Sequence, residues 1–223
     1  MEKGKLIVVE GSSDGIGKTT QFNLLKDELI KEGNDIVTHH FPTYDTAHGH
    51  GVEMYLGGEL GGPSDLSPYF INELYAHDRA VTWYTKLKEN YEQGKVILLD
   101  RYTTSSLIYQ TALIEDLEEK KNFVNYVIDF EYKKLGIKEP DCVIFLTAPF
   151  DLITKMRSER KQNDGIKEDI HESNLEFLRK VYESALFVAE YLNWNIIECS
   201  KNNEMRSIEE IHEEVSKVIK KIK

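Results

Sequence analysis

The sequence predicts an α/β fold in which a five-stranded parallel sheet is flanked by helices. Short, continuously apolar runs alternate with longer stretches of helical periodicity, which is the pattern of successive βαβ units. The runs have the length of strands and little polar alternation, as expected for strands covered on both faces. The five predicted strands span residues 6–9, 36–37, 96–99, 142–146 and 195–197.

The stretches between the strands carry helix start and stop signals. The first spans residues 19–31 and is followed by Gly33, a residue type that commonly ends a helix. The second opens with Ser67 and Pro68, a cap followed by proline at the first turn. It is predicted to end at Gly94, and the other helices are predicted at residues 117–135, 174–192 and 207–222.

Composition limits the classes of protein to consider. The 223 residues fit one domain, and no apolar run approaches the ~18 residues of a membrane-spanning helix. The net charge of −11 argues against a nucleic-acid partner, which would require a basic face. The chain enters a strand directly, without a leader pattern, and Cys142 and Cys199 lie in or beside apolar runs. We therefore expect reduced core thiols in a cytoplasmic protein with no membrane partner.

A glycine-rich turn joins the first strand to the first helix. Residues 10–20 read Glu-Gly-Ser-Ser-Asp-Gly-Ile-Gly-Lys-Thr-Thr, which is typical of a P-loop that binds a nucleoside triphosphate. Backbone amides and the helix dipole attract phosphates, Lys18 adds a charge, and the Thr19 hydroxyl can ligate Mg²⁺. Five residues instead of four separate Gly11 from Gly17, so the loop is one residue longer than the motif. The predicted ATP-binding residues are Gly11, Ser12, Ser13, Asp14, Gly15, Ile16, Gly17, Lys18, Thr19 and Thr20.

The third predicted strand ends in Asp100 and Arg101. The carboxyl ends of strands carry ligand chemistry in open α/β sheets. A carboxylate there can organise a metal ion, and a guanidinium can hold a second phosphate. The guanine-reading Asn-Lys-x-Asp pattern of a GTPase is missing from the sequence, which favours a kinase of a small nucleotide.

These motifs resemble those of the thymidylate kinases, a family of nucleoside-monophosphate kinases. The resemblance rests on residues 10–21, 41–42, 74–79, 100–109 and 140–141. It implies a three-layer P-loop sandwich with strand order 2-3-1-4-5. It also implies transfer of the γ-phosphoryl group from ATP to dTMP, dependence on Mg²⁺, and a homodimer.

The resemblance also assigns roles at matching positions. Asp14 is expected to contact the sugar 3′-hydroxyl, Tyr75 to stack on the base, and Arg79 to donate to a base carbonyl. Tyr109 is expected to occupy the place of a ribose 2′-hydroxyl. The implied dTMP-binding residues are Asp14, Phe41, Pro42, Tyr75, Arg79, Arg101, Ser105, Ser106 and Tyr109.

A charged segment after the fourth strand, at about residues 150–173, matches the family's lid within a single domain spanning residues 1–223. Members with glycine at the position of Gly15 tend to take the catalytic arginine from the lid, so Arg160 is expected first and Arg157 second. The implied catalytic residues are Lys18, Asp100, Arg101, Arg160 and Arg157, with Thr19 and Asp100 at the metal.

One position departs from the family pattern. Many relatives carry an arginine shortly after the Phe-Pro pair to hold the acceptor phosphate, whereas this chain has Thr43 and Tyr44. Two alternatives therefore stay open. One is a P-loop kinase of another deoxynucleotide or of a deoxynucleoside, and the other is a non-catalytic nucleotide-binding protein of the same fold.

Overall fold

Five parallel strands form the central sheet of the computed structural model, which describes residues 3–156 and 175–222. The strands are β1 (Leu6–Gly11), β2 (Ile36–His40), β3 (Val96–Asp100), β4 (Cys142–Thr147) and β5 (Asn195–Glu198). Their order across the sheet is β2-β3-β1-β4-β5, and every neighbouring pair is parallel. The predicted fold class and strand order are confirmed.

Helices cover both faces of this sheet. They are α1 (Lys18–Lys31), α2 (His50–Leu56), α3 (Pro68–Thr82), α4 (Lys88–Glu92), α5 (Thr103–Thr111), α6 (Leu117–Ile128), α7 (Leu175–Tyr191) and α8 (Ile208–Ile219). Residues 150–156 are also helical, up to the end of the first described range. No helix in the two described ranges is long and apolar enough to cross a membrane.

Alternate residues of the strands face the two helical layers. Ile7 belongs to a buried cluster with Leu25 of α1, whereas Val8 packs with Trp83 on the opposite face. Because both faces are covered, the inner strands are buried along almost their whole length. This explains why they appear in the sequence as continuous apolar runs.

Two of the predicted long helices contain π-helical segments. The stretch that begins at Pro68 continues through a π segment at Trp83–Leu87, and α6 is followed by another at Asp129–Lys134. π-helical turns are rare and are frequent near functional sites.

Two helices and a two-stranded hairpin were missed by the sequence patterns. Helix α2 lies in the glycine-rich connection between β2 and α3, and α5 directly follows β3. Strands β6 (Ser200–Lys201) and β7 (Glu204–Met205) form a small antiparallel hairpin.

Candidate active site

The carboxyl edge of the sheet gathers the predicted site residues. In the strand register, Val9 pairs with Asp100, His40 also pairs with Asp100, and Gly11 pairs with Leu146. The glycine-rich loop, the end of β3 and the residues after β2 therefore leave the sheet at one edge, where ligands bind in open α/β folds.

The glycine-rich loop ends where α1 begins, at Lys18. Gly15 and Gly17 have φ values of 90° and 94°, in the left-handed region that favours glycine. The Ile16 side chain is buried in the core, so only its backbone can contact a ligand. Ser12 is also buried, and its N–H donates to the Leu146 carbonyl at 2.9 Å.

The remaining loop residues lie at or near the surface. Ser13 and Asp14 are half-buried, whereas Thr19 and Thr20 are exposed on the first turn of α1. The amino end of α1, with its unsatisfied N–H groups, remains open beside the exposed threonines.

Lys18, Asp100 and His40 form a charged cluster at this edge. The Lys18 Nζ lies 3.0 Å from Asp100 Oδ1, and His40 Nδ1 lies 2.9 Å from Asp100 Oδ2. Burial alone would raise the pKa of Asp100, but the His40 hydrogen bond and the Lys18 charge hold it well below its usual range. Asp100 is therefore ionised at neutral pH and can act as an oxygen ligand.

Arg101 joins the end of β3 to the glycine-rich loop. Its Nη2 donates to Asp14 Oδ1, and its guanidinium lies 5.8 Å from the centre of the Tyr109 ring. Burial alone would lower the pKa of Arg101, but the Asp14 carboxylate outweighs burial and raises it well above its usual value. The residue has a φ of 65°, which is uncommon for a residue other than glycine and is often associated with functional sites.

Glu10 joins the glycine-rich loop to α5. Its buried carboxylate accepts hydrogen bonds from the Thr104 hydroxyl at 2.9 Å and the Ser105 hydroxyl at 2.5 Å. It also accepts the Gly11 N–H at 3.1 Å. The Ser105 hydroxyl is thus committed to Glu10.

A cavity of about 300 Å³ opens between β2, β3, α3 and α5. All nine residues predicted to bind the acceptor nucleotide line this cavity. The lining residues are Asp14, His40, Phe41, Pro42, Tyr44, Leu56, Tyr75, Arg79, Arg101, Tyr102, Ser105, Ser106, Tyr109, Gln110 and Leu178.

Two aromatic side chains in this lining, Tyr75 and Tyr109, are half-buried. Burial is the main reason that the pKa values of Tyr75 and Tyr109 lie above the usual range. Both rings therefore stay neutral, and Tyr109 keeps the proton that its hydroxyl shares with Asp14 over 3.4 Å.

The loop after β2 is hydrogen-bonded to α3 at the position where the family pattern has an arginine. The Thr43 N–H donates to Asp78 Oδ2 at 2.8 Å, and Asp78 Oδ1 lies 3.7 Å from His48 Nε2. Tyr44, the next residue, lines the cavity. The loop thus contributes an aromatic side chain instead of a cation.

The sequence patterns missed two polar residues of this region, Glu131 and Gln110. Glu131 is fully buried and binds Arg79. Gln110 is 3% exposed, and its Oε1 has no hydrogen-bond partner among the described residues. Gln110 follows Tyr109 directly, so a search for polar neighbours along α5 could have found it. The two predicted lid arginines, Arg157 and Arg160, lie outside the described residues.

Comparisons with known proteins agree with this geometry. Residues 9–215 match the family model described as Thymidylate kinase. The chain is 34% identical to a probable thymidylate kinase of Thermococcus onnurineus, over 94% of both chains. It is 32% identical to a thymidylate kinase of Prochlorococcus marinus, over 98% of this chain and 99% of the relative.

A solved structure of a thymidylate kinase from Candida albicans has a similar fold. The TM-score is 0.72 at 21% identity, and the match covers 98% of this chain and 92% of that one. The family model and the curated relatives span nearly the whole length of the sequence. The chain therefore belongs to the thymidylate kinase family, the nucleoside-monophosphate kinases that phosphorylate dTMP.

Proposed function

We propose that this protein transfers the γ-phosphoryl group of ATP to dTMP. An oxygen of the dTMP phosphate attacks the γ-phosphorus, the bond to the β-phosphate oxygen breaks, and ADP and dTDP leave. The observation that carries the proposal is the cavity that joins the glycine-rich loop to Arg101, Tyr75 and Arg79. Family membership favours this reaction over another nucleotide acceptor and over a non-catalytic role.

We propose that residues 11–20 bind the phosphates of ATP. The loop amides and the amino end of α1 offer hydrogen-bond donors and a positive dipole to them. Lys18 adds a charge that can stabilise the transferring group. Phosphoryl transfer needs no covalent intermediate, because positioning and electrostatic stabilisation supply the catalysis.

We propose Mg²⁺ as the metal, with Asp100 and Thr19 as its protein contacts. Ionised Asp100 and the exposed Thr19 hydroxyl are hard oxygen donors of the type that Mg²⁺ prefers. The described part of the chain contains no cluster of three His, Cys, Asp or Glu side chains that could hold a metal. Few protein ligands suit Mg²⁺, which takes its other ligands from phosphates and water and neutralises phosphate charge when bound.

For the acceptor, we propose that Arg101 holds the dTMP phosphate and that Asp14 accepts the sugar 3′-hydroxyl. The Tyr75 ring stacks on the base, and Tyr109 fills the space that a 2′-hydroxyl would need. Phe41, Pro42, Ser105 and Ser106 complete the walls of the acceptor site. Since the loop after Pro42 provides no cation, Arg101 carries more of the phosphate charge than it would beside a second arginine.

We propose that the base is recognised by donors and an acceptor at the α3 and α5 side of the cavity. Arg79 has only donors and suits a carbonyl oxygen such as thymine O4. Gln110 Oε1, for which the described ranges offer no hydrogen-bond partner, suits the N3–H group of thymine. A buried polar atom without a partner is costly, so a ligand that satisfies it gains affinity.

We propose a single kinase domain spanning residues 1–223, whose lid at about residues 150–173 supplies Arg160 or Arg157 to the transferring phosphoryl group. The described residues provide Lys18 and Arg101 as cations near the glycine-rich loop. A loose transition state spreads charge over the equatorial oxygens, and further cations stabilise it.

We propose that the protein is a homodimer formed through α3 and its π-helical extension. Phe70 is 43% exposed and Tyr84 is 52% exposed, with Leu74 and Val81 half-buried between them. Their spacing places all four on one helical face. An exposed apolar face of this kind is stabilised when a second copy of the same chain covers it and removes it from water. A monomer at micromolar concentration in light scattering would refute this assembly.

We also propose that the protein acts in the cytoplasm. Cys142 and Cys199 are both buried and unpaired, which fits a reducing compartment.

Release of ADP, coupled to NADH oxidation, tests the reaction. Nucleosides and the monophosphates dTMP, dUMP, dCMP, dGMP and dAMP are each offered with ATP and Mg²⁺. We expect dTMP to give the highest kcat/KM and thymidine to give no turnover. A preference for a nucleoside, or no turnover with any acceptor, would refute the proposed function.

A further inference from the structure

Glu131 is a fully buried carboxylate beside the cavity. It lies in the π-helical segment that follows α6, twenty residues beyond the end of α5 and outside the family motifs. A buried carboxylate is stable only with a charged or hydrogen-bonded partner. Its partners therefore reveal its role.

The carboxylate of Glu131 holds the guanidinium of Arg79 through two parallel hydrogen bonds. Arg79 Nε donates to Oε2 and Arg79 Nη2 donates to Oε1, both at 2.7 Å. The Thr103 hydroxyl donates to Oε2 at 2.9 Å and fixes the carboxylate from α5. A bidentate pair of this type fixes the plane of the guanidinium as well as its position.

The other donors of Arg79 are unequally used. Nη2 also donates to Ser106 Oγ at 2.9 Å. Among the described residues, Nη1 has only a long contact, 3.5 Å, with the Tyr102 carbonyl. Nη1 carries two N–H groups, so at least one donor remains for a ligand in the cavity that Arg79 lines.

We propose that Glu131 is a positioning residue that sets base selection by fixing Arg79, an inference that rests on the proposed function. With the guanidinium plane fixed, the remaining Nη1 N–H can donate to a base that has a carbonyl at position 4, as in thymine and uracil. Cytosine has an amino group there, and two facing donors leave both groups without a partner. Glu131 therefore selects dTMP and dUMP over dCMP without touching the nucleotide.

The primary test replaces Glu131 by glutamine, which is close in shape. An amide cannot accept two hydrogen bonds from the guanidinium with both of its polar atoms, so the orientation of Arg79 is released. We expect the ratio of kcat/KM for dTMP over dCMP to fall at least tenfold in Glu131→Gln. The ratio for dTMP over dUMP should stay within twofold, because both bases carry the same carbonyl.

Two other variants control for general loosening of the site. Thr103→Val removes only the third hydrogen bond to Glu131, and we expect a fall of about threefold in the dTMP to dCMP ratio. Asp78→Asn changes a different buried carboxylate, which lies on α3 and holds the loop after β2 but not Arg79. It should raise KM for both nucleotides by the same factor. An equal fall in the ratio for Asp78→Asn would overturn the proposal.

A double substitution tests whether Glu131 acts through Arg79. In an Arg79→Ala background, Glu131→Gln should change the dTMP to dCMP ratio by less than twofold, since the mediating group is gone. An unchanged ratio in folded Glu131→Gln overturns the proposal. If Glu131→Gln does not fold, an unchanged dTMP to dCMP ratio in Thr103→Val overturns the proposal. If the wild-type protein fails to phosphorylate dTMP, the proposed function is wrong. The role of Glu131 is then tested by calorimetry, which compares the Kd values for dTMP and dCMP between the wild-type protein and Glu131→Gln.

Discussion

Substitution of Arg101 is the most direct test of the acceptor-phosphate site. A guanidinium about 4 Å from a phosphate charge contributes on the order of 4 kcal/mol at an effective dielectric constant near 20. The Asp14 carboxylate and solvent reduce this contribution, because Arg101 binds Asp14 and is 20% exposed. We expect Arg101→Ala to lose roughly 10²-fold in kcat/KM for dTMP, which corresponds to about 2.7 kcal/mol.

Arg101→Lys should lose nearly as much, because an ammonium group cannot form two parallel hydrogen bonds to a phosphate. Steady-state ADP release is measured with dTMP varied at saturating ATP, and then with ATP varied at saturating dTMP. The KM for ATP should change by less than about twofold, since Arg101 lies at the acceptor cavity.

Arg101→Gly provides a matched control for the backbone. The φ of 65° costs a residue with a Cβ atom about 1 kcal/mol, and glycine removes this cost. Arg101→Gly should therefore match Arg101→Ala in activity but resist urea better. A loss of less than about fivefold in kcat/KM for dTMP would mean that another group holds the phosphate.

Four further substitutions probe other parts of the molecule. Lys18→Ala should lower kcat at least 10²-fold, and wild-type turnover would remove the proposed donor site. Tyr109→Ala should narrow the preference for dTMP over its ribonucleotide, and a wild-type protein without that preference would contradict the role of this ring. Gln110→Leu should raise KM for dTMP about tenfold, since a buried N–H of the base loses its partner; an unchanged KM would refute this contact. Burial, and to a smaller extent the charge of Lys86, lowers the pKa of His39 to about 4. As the pH falls below about 6.5, the imidazole of His39 is therefore protonated in the unfolded chain before it is protonated in the native protein. The free energy of unfolding thus falls between pH 6.5 and 4. In urea titrations at pH 7 and pH 5, the free energy of unfolding of His39→Gln should fall by about 1 kcal/mol less than that of the wild-type protein, after allowance for solvent screening.

The sheet could be predicted from the sequence because its strands are covered on both faces. Their apolar runs are continuous, and the intervening helices have one buried and one exposed side. The glycine-rich loop could be recognised because all of its phosphate-binding residues are adjacent in the sequence. Arg101 was identified by its place at the end of a strand.

Helix α5 could not be found by the same reasoning. Seven of its nine residues are buried, including several threonines, so it lacks the polar face that marks an amphipathic helix. Since α5 carries Ser106, Tyr109 and Gln110, the polar end of the base site was only partly predicted. The family resemblance supplied the first two.

The small hairpin after β5 carries a recognisable turn signal in the sequence. Asn202 and Asn203 form the two-residue turn between β6 and β7. Their φ values are 54° and 63°, as a type I′ turn requires. Asparagine tolerates this conformation better than most residues.

The partner of Arg79 could not be predicted, because long-range polar pairing leaves no local pattern. Glu131 lies in a stretch with helical periodicity, where a glutamate is ordinarily solvated. Only the packing of α6 and its extension against α3 and α5 brings the carboxylate inside.

The π-helical segment at Asp129–Lys134 makes this part of the chain sensitive to changes in length. Each residue of an α-helix turns the chain by about 100°, and a π turn accommodates an additional residue within one turn. Deleting one residue here would allow regular α-helical hydrogen bonding and would rotate the following side chains to a new face. We therefore expect relatives that lack this additional residue to have a different partner for the base-reading arginine.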